Sequence, residues 1–185
     1  MVPTADLWVP ILVSTVLVFV ASNLVWTVLP FHKSDTRRLP DEAATVAALA
    51  KQELKPGQYN FPYAGSMAEM KDPAYLKKLE GPVGLLTIRP SGPIDMGKFL
   101  GSWAVYCLVI GTFVAYLAGR TLGPGTHYLS VFRVAGTAAF LGYSGAQVPA
   151  AIWWGKPWGN AFREIVDGLV YALLTAGAFG WLWPR

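Results

Sequence analysis

The sequence has very little of the chemistry on which most enzymes and metal sites depend. Its 185 residues include one cysteine and two histidines, and only 14% of them are charged. The lone cysteine, Cys107, excludes an intrachain disulfide and a cysteine-based metal site. No phosphate-binding loop, dinucleotide-binding glycine pattern, zinc-protease motif or nucleophile elbow is present. We therefore predict no catalytic residue, no metal and no cofactor, and an enzyme is the less favoured class.

Apolar residues are abundant instead, at 54% of the chain. A helix needs about 20 of them in succession to cross the core of a bilayer. Three uncharged apolar runs reach that length, and a fourth does so once residues 162–167 are included. The sequence therefore predicts an all-α membrane protein with four transmembrane helices, and a polar insert between the first two. The predicted helices cover residues 7–29, 98–119, 128–152 and 162–183.

Lysine and arginine are distributed unevenly along this topology. Residues 31–98 contain ten of the 15 and residues 154–163 contain two more. These two segments share one side of the membrane because successive helices alternate in direction. Basic residues collect on the cytoplasmic side, so we predict a cytoplasmic insert and both termini outside. The net charge of +4 is then explained by topology and lipid contact, and we expect no nucleic-acid partner.

The insert, residues 31–97, is predicted to form a small α/β-type subdomain. Residues 41–53 are rich in helix formers and begin with acidic side chains. Asp72 and Pro73 are typical of a helix N-terminus, and Gly81 of the position just after a helix. Residues 58–63 and 83–88 have the composition of short strands.

Ionisable residues at membrane depth are costly unless they are paired, which makes Asp167 the most informative position. Helical rise places one polar side chain of every other predicted helix near its level, and we expect at least one of them to hydrogen-bond it. The layer is either a proton- or ion-binding site or a structural hydrogen-bond cluster. We favour the structural interpretation because the layer has one carboxylate and no matching cation. Its members are Asp167, Gln147, Ser144, Asn23 and Ser102.

Three further features carry weaker hypotheses. Arg133 lies about one turn inside the third helix, where it is a candidate interfacial anchor or a lipid or ligand contact. The two histidines, His32 and His127, are predicted on opposite sides of the membrane and so cannot share one haem or metal.

Small residues at four-residue spacing mark faces of the second and third helices. Such faces let helix backbones pack closely, either within the chain or against another subunit. Their positions are Gly111, Ala115 and Gly119, and then Ala135, Ala139, Gly142 and Ala146.

Several stretches resemble a family of small bacterial four-helix integral membrane proteins of unknown function. The resemblance covers most of the chain and implies the same topology, but it brings no activity and no catalytic residue. The stretches are VLPFHKSDTRRLPDE (28–42), PGQYNFPYAG (56–65), MKDPAY (70–75), GPVGLLTI (81–88), FRVAGTAAFLGY (132–143) and DGLVYALLTAGAFGWLWP (167–184).

The function we predict from these observations is non-enzymatic. The chain is expected to be an accessory or assembly subunit of a larger complex in the bacterial inner membrane, such as an energy-transducing one. Its partners are then the lipid bilayer and other membrane subunits, or a second copy held through the small-residue faces. The alternative is a small transporter or channel that uses the layer around Asp167, and a membrane enzyme ranks third. A cavity that reaches Asp167 would favour the transporter.

Overall fold

The computed structural model describes every residue, Met1–Arg185, and is mostly helical with one small sheet. Its contacts divide the chain into two compact units. The helical unit comprises Met1–Asp35 and Asp95–Arg185, and the insert unit comprises Thr36–Ile94. The prediction of a helical protein with a small mixed insert is confirmed at this level.

The helices and strands follow one another along both units. The helices are α1 (Trp8–Thr27), α2 (Glu42–Ala50), α3 (Pro73–Lys78), α4 (Met96–Thr121), α5 (Tyr128–Ser144), α6 (Gln147–Trp154) and α7 (Trp158–Trp181), and the strands are β1 (Gly57–Phe61) and β2 (Gly84–Ile88). Short 3₁₀ turns precede α1 at Thr4–Leu7, follow it at Pro30–His32, and precede α3 at Glu69–Lys71.

Four helices of the helical unit pack in a ring. Helix α1 contacts α4 and α7, and α5 contacts the same two neighbours, with the α5–α7 contact the most extensive. Glycines allow this close approach, because a Cβ on Gly136 would lie 3.1 Å from the Ala176 Cβ. Across the same contact, a Cβ on Gly168 would lie 2.0 Å from the Ser144 Oγ.

The interior of this ring combines alanines with larger side chains such as Phe179 and Val18, and its outer faces carry large apolar side chains. Fully buried positions include Ala115, Ala135 and Ala139, each at 0% exposure. Large apolar side chains such as Phe113 and Leu141 are more than half exposed. In a water-soluble helical protein the large apolar side chains are the ones that pack inside.

Two helical segments, Thr4–Thr27 and Met96–Thr121, are long and apolar enough to cross a membrane. Only 28% and 22% of their apolar stretches are buried inside the isolated chain, whereas the core helix of a soluble protein is mostly buried. The other two members of the ring differ from them, since α5 has 17 residues and α7 carries Arg163, Glu164 and Asp167. Length and composition therefore establish two candidate membrane spans.

The third predicted helix, 128–152, was expected to be continuous, and the structure corrects this. Helix α5 ends at Ser144, and α6 begins at Gln147 after a turn at residues 145–146. Pro149 explains the break, because its ring has no N–H for the carbonyl of Gly145 four residues earlier and clashes with that group.

The small-residue faces pack within the chain. Gly111 faces α1, where a Cβ would meet the Ser14 Oγ at 3.4 Å, and Gly119 lies directly under the backbone of Val2. Gly142 faces α4, since a Cβ there would lie 2.8 Å from the Ile110 side chain. Among the positions named for the two faces, Ala146 is the exposed one.

Backbone hydrogen bonds close one end of the helical unit. The Val2 amide donates to the Gly119 carbonyl at 2.8 Å, and the Gly125 amide donates to the Pro184 carbonyl at 2.8 Å. The N-terminal segment, the α4–α5 loop and the C-terminal segment therefore meet at the same end. The turn after α1 and the beginning of α7 lie at the opposite end.

The insert unit follows its local sequence signals. The Asp41 carboxylate accepts from the Ala44 amide at 2.9 Å, and the Asp72 carboxylate accepts from the Ala74 amide at 2.7 Å, so each caps the helix that follows it. Strands β1 and β2 form an antiparallel pair in which Phe61 lies opposite Gly84.

Candidate functional site

Asp167 is buried within α7, and its carboxylate meets a histidine. The residue is 5% exposed, and its Oδ2 lies 2.8 Å from the Nε2 of His32, which is 8% exposed. This distance makes the imidazole a direct partner of the carboxylate. His32 reaches this position because the 3₁₀ turn Pro30–His32 folds back against α7.

The imidazole of His32 is held on its other sides as well. Its Nδ1 lies 2.6 Å from the Asp35 carboxylate, and the ring stacks on Trp26 with centroids 3.9 Å apart. His32 thus bridges two carboxylates, one at each ring nitrogen. This arrangement fixes the orientation of the ring before any ligand is present.

Helix α7 anchors Asp35 in turn. The Arg163 guanidinium donates from Nε to the Asp35 carboxylate at 2.6 Å, and the Asn160 amide donates to the Asp35 carbonyl at 2.9 Å. Asn160, Arg163 and Asp167 follow at one-turn intervals, so a single face of α7 holds the whole group.

The electrostatics of Asp35 reflect two opposing effects. Burial raises the pKa of this carboxyl, but the hydrogen bonds and charges of His32 and Arg163 outweigh it and leave the pKa below the ordinary value of 3.8. Asp35 is thus held as a carboxylate that stabilises the folded site.

A cavity of about 620 Å³ opens beside Asp167, between α1, α4, the α5–α6 segment and α7. Four aromatic side chains form one wall: Trp103, Tyr106, Tyr143 and Tyr171, with ring centroids 5.5–6.4 Å apart. Glu164 and Asp167 are its acidic residues, and no lysine, arginine or histidine lines it. Its volume lies within the range of small-molecule sites.

The Tyr171 hydroxyl is buried at this site and makes no hydrogen bond. The Trp26 indole lies close to that hydroxyl. Buried polar groups are almost always satisfied, because an unmade bond costs about 1–3 kcal/mol. Asp167 and Tyr171 both line the cavity.

A second ion pair closes the site from the α6–α7 connection. The Lys156 ammonium lies 2.5 Å from the Glu164 carboxylate and donates to the Gln147 side chain at 2.8 Å. Both partners of Lys156 line the cavity, whereas Lys156 itself does not.

Some residues of the predicted polar layer lie together at the cavity, and the others lie elsewhere. Asn23 and Gln147 line the cavity with Asp167. Ser144 lies against Gly168 and donates to the Ile165 carbonyl at 3.4 Å, and Ser102 is exposed and donates to the Lys98 carbonyl at 2.8 Å.

None of the four hydrogen-bonds Asp167, so that expectation was wrong. The expectation of no matching cation also needs correction, since His32 contacts the carboxylate directly. His32 was not predicted at this site because residues 31–97 were all assigned to the polar insert. A usable signal was present: Asp35 follows His32 at i+3, and Pro30 begins the turn that carries it.

Arg133 is exposed on α5 and forms no ion pair. It lines two shallow clefts on the outside of the helical unit, beside Thr137. Its role as an interfacial anchor or lipid contact stays a prediction.

No family model, no curated protein and no solved structure matches this chain. The geometry of the site offers an unpaired Tyr171 hydroxyl and aromatic faces to a bound molecule.

Proposed function

We propose that this protein is a four-helix integral membrane protein that binds a small molecule in the cavity at Asp167, as a small transporter would. The observation that carries the proposal is a cavity of about 620 Å³ lined by aromatic rings, with the unsatisfied Tyr171 hydroxyl and the buried Asp167 among its lining residues. A ligand with a hydrogen-bonding group would satisfy the Tyr171 hydroxyl and remove its desolvation cost.

The membrane assignment extends to all four helices of the ring. Its support is the exposure of large apolar side chains on α5 and α7 as well as on α1 and α4, around an interior that includes many alanines. Leu141 on α5 and Leu173 on α7 are 65% and 48% exposed. Small residues inside and apolar residues outside are typical of helices packed in lipid.

The proposed location is the bacterial inner membrane, with the insert cytoplasmic and both termini outside. The distribution of lysine and arginine supports this orientation. Cysteines introduced at Ser66 and Pro124 test it in intact cells. We expect an impermeant thiol reagent to label only the cysteine at position 124. Labelling of only the cysteine at position 66 would show that the orientation is the reverse of the proposed one.

A cavity-filling variant tests ligand binding. Leu100 lines the cavity from α4, and Leu100→Trp would occupy part of its volume. Val105 lies on the same helix, is 60% exposed and does not line the cavity, so Val105→Trp is the matched control.

The three proteins would be purified in mild detergent and analysed by native mass spectrometry. We expect a small molecule to remain on the wild type and on Val105→Trp, and to be lost from Leu100→Trp. Equal small-molecule content in all three would contradict the proposal. Stoichiometric co-purifying proteins would instead favour the accessory-subunit function, which stays a prediction.

A further inference from the structure

We propose that the ligand of this cavity is an uncharged, mainly apolar molecule that carries a hydrogen-bond acceptor, such as a carbonyl oxygen. This inference rests on the proposed function, because it names the chemical class of the molecule bound in the same cavity. Three features of the site point to it: the pairing of its charges, the internal hydrogen bonds of its aromatic wall, and the Tyr171 hydroxyl.

The charged side chains on the lining already have partners. The Asp167 carboxylate lies 2.8 Å from the His32 imidazole, and the Glu164 carboxylate lies 2.5 Å from the Lys156 ammonium. A charged ligand would lose its own hydration and would find no unpaired counter-charge in the cavity, which is a large cost. The pairing therefore favours an uncharged ligand over a cation or an anion.

The surroundings of His32 support the same conclusion. Its Nδ1 lies 2.6 Å from the Asp35 carboxylate and its Nε2 lies 2.8 Å from that of Asp167. Only a doubly protonated ring has an N–H to donate at both positions. Because Asp35 also contacts Arg163, this geometry matches the three carboxylates of the site with three cationic side chains. No net charge is left for a ligand to balance.

The aromatic wall uses its polar groups within the protein. The Trp103 N–H donates to the Ser22 hydroxyl at 2.8 Å, and the Tyr106 hydroxyl donates to the Gly142 carbonyl at 2.7 Å. These two side chains therefore present mainly ring surface to the cavity. Aromatic surfaces of this kind pack against apolar ligand bodies.

Tyr171 is the exception on this wall. It is 4% exposed, and its hydroxyl makes no hydrogen bond. The Trp26 indole lies close to the hydroxyl, and an indole N–H can only donate. The hydroxyl hydrogen is then the group that lacks a partner, and it requires an acceptor. A carbonyl oxygen supplies one without adding a donor that would itself stay unpaired.

The lining also extends from this buried hydroxyl to exposed apolar side chains. Trp26, near the end of α1, and Met96, at the start of α4, line the cavity and are 52% and 59% exposed. In the proposed membrane arrangement these helix ends lie at the edge of the bilayer. An apolar molecule dissolved in lipid would therefore meet the cavity at these side chains.

The test compares four naphthalene derivatives whose single substituent sits at the same ring position. Naphthyl methyl ketone is an uncharged acceptor, ethylnaphthalene is uncharged without a hydrogen-bonding group, naphthylethylammonium is a cation, and naphthoate is an anion. Their binding to the immobilised full chain is measured in mild detergent near neutral pH, with protein-free resin as the background. Affinities are expressed relative to the concentration of each probe in the micelles. Wild type, Leu100→Trp and Val105→Trp are measured in parallel.

We expect the ketone to bind wild type and Val105→Trp, and Leu100→Trp should lose that binding. The ammonium and carboxylate probes should bind at least tenfold more weakly than the ketone, because neither finds an unpaired counter-charge. Equal or tighter binding of either charged probe, still lost in Leu100→Trp, would overturn the uncharged-ligand inference and leave the ligand-binding function standing.

If no probe shows binding that Leu100→Trp removes, the uncharged-ligand inference is wrong. The proposed function is then wrong as well only if native mass spectrometry also finds no small molecule that Leu100→Trp displaces. The two failures are therefore distinguishable.

A substitution at Tyr171 adds a second readout. Tyr171→Phe keeps the ring and removes the hydroxyl, so the affinity for the ketone should fall about fivefold, as expected for one neutral hydrogen bond. The affinity for ethylnaphthalene should change less than twofold. An equal change for both probes would contradict the role of the hydroxyl. If this variant fails to fold, wild type decides, since the ketone must bind it more tightly than ethylnaphthalene does.

Discussion

The α5–α7 contact offers the sharpest test of the packing described above, through the substitution Gly168→Ala. A Cβ at this position would lie 2.0 Å from the Ser144 Oγ, 3.2 Å from its Cβ and 3.3 Å from its backbone N. The serine can turn its hydroxyl away only by giving up its bond to the Ile165 carbonyl, and its backbone stays close. The two helices must therefore separate locally.

The size of the effect follows from comparison with a second glycine of α7. Overpacking a buried contact costs about 1–3 kcal/mol. Replacing a helical glycine by alanine also returns up to about 1 kcal/mol of helix propensity. Gly177 supplies the matched control, because a Cβ there would meet only the Tyr128 hydroxyl, at 3.9 Å. The propensity gain is common to Gly168→Ala and Gly177→Ala, so their difference isolates the clash.

Thermal unfolding in detergent, followed by circular dichroism, measures this difference. At roughly 2–4 °C per kcal/mol for a chain of this size, Gly168→Ala should melt about 2–12 °C below Gly177→Ala. Adding Ser144→Ala to Gly168→Ala removes the closest contact and should recover most of the loss. Equal melting temperatures for the two single variants, or no recovery in the double variant, would refute the close approach of α5 and α7.

Two further predictions concern the ends of the helical unit. Gly119→Ala would place a Cβ 2.3 Å from the Val2 carbonyl oxygen. It should therefore break the Val2–Gly119 hydrogen bond and destabilise the protein by about 1–3 kcal/mol. Gly123→Ala is the control, because the space around Gly123 is open and no such loss is expected. Thermal unfolding of both variants provides the comparison, and equal stability would contradict the docking of the N-terminal segment. Because the pKa of Asp35 is lowered in the folded protein, its contribution to stability is complete above the ordinary value of 3.8 and is lost as the pH falls through the lower folded value. The melting temperature of wild type should therefore fall more steeply between about pH 5 and pH 3 than that of Asp35→Asn, and parallel curves would count against the His32–Asp35–Arg163 arrangement.

Local signals accounted for much of the fold. The positions of Asp72 and Pro73 predict where α3 begins, and the composition of residues 83–88 predicts β2, because caps and strand propensities act over a few residues. The break between α5 and α6 was missed although its cause, Pro149, is visible in the sequence. A single proline hardly changes the apolar composition of a segment, but it removes a backbone hydrogen bond from a helix.

The site depended on contacts that composition does not describe. Helical rise is regular, so it predicts a common level for Asn23, Gln147 and Asp167, and the three residues line one cavity. Helical rise gives no information about side-chain direction, so the predicted level also included Ser102, which faces away. His32 lies outside the regular helix, and only the path of the Pro30–His32 turn brings it to Asp167. Long-range pairing of this kind cannot be calculated from spacing.

The alanine-lined interior has a consequence for how the sequence can drift over evolutionary time. Outward positions such as Val16 and Phe113, at 60% and 63% exposure, should accept one large apolar residue for another with little effect. Interior positions such as Ala139 and Ala176 are both at 0% exposure, so a larger side chain there would have to displace its neighbours. A saturation mutagenesis profile of the ring should then show its exposed large apolar positions as permissive and its buried alanines as restrictive.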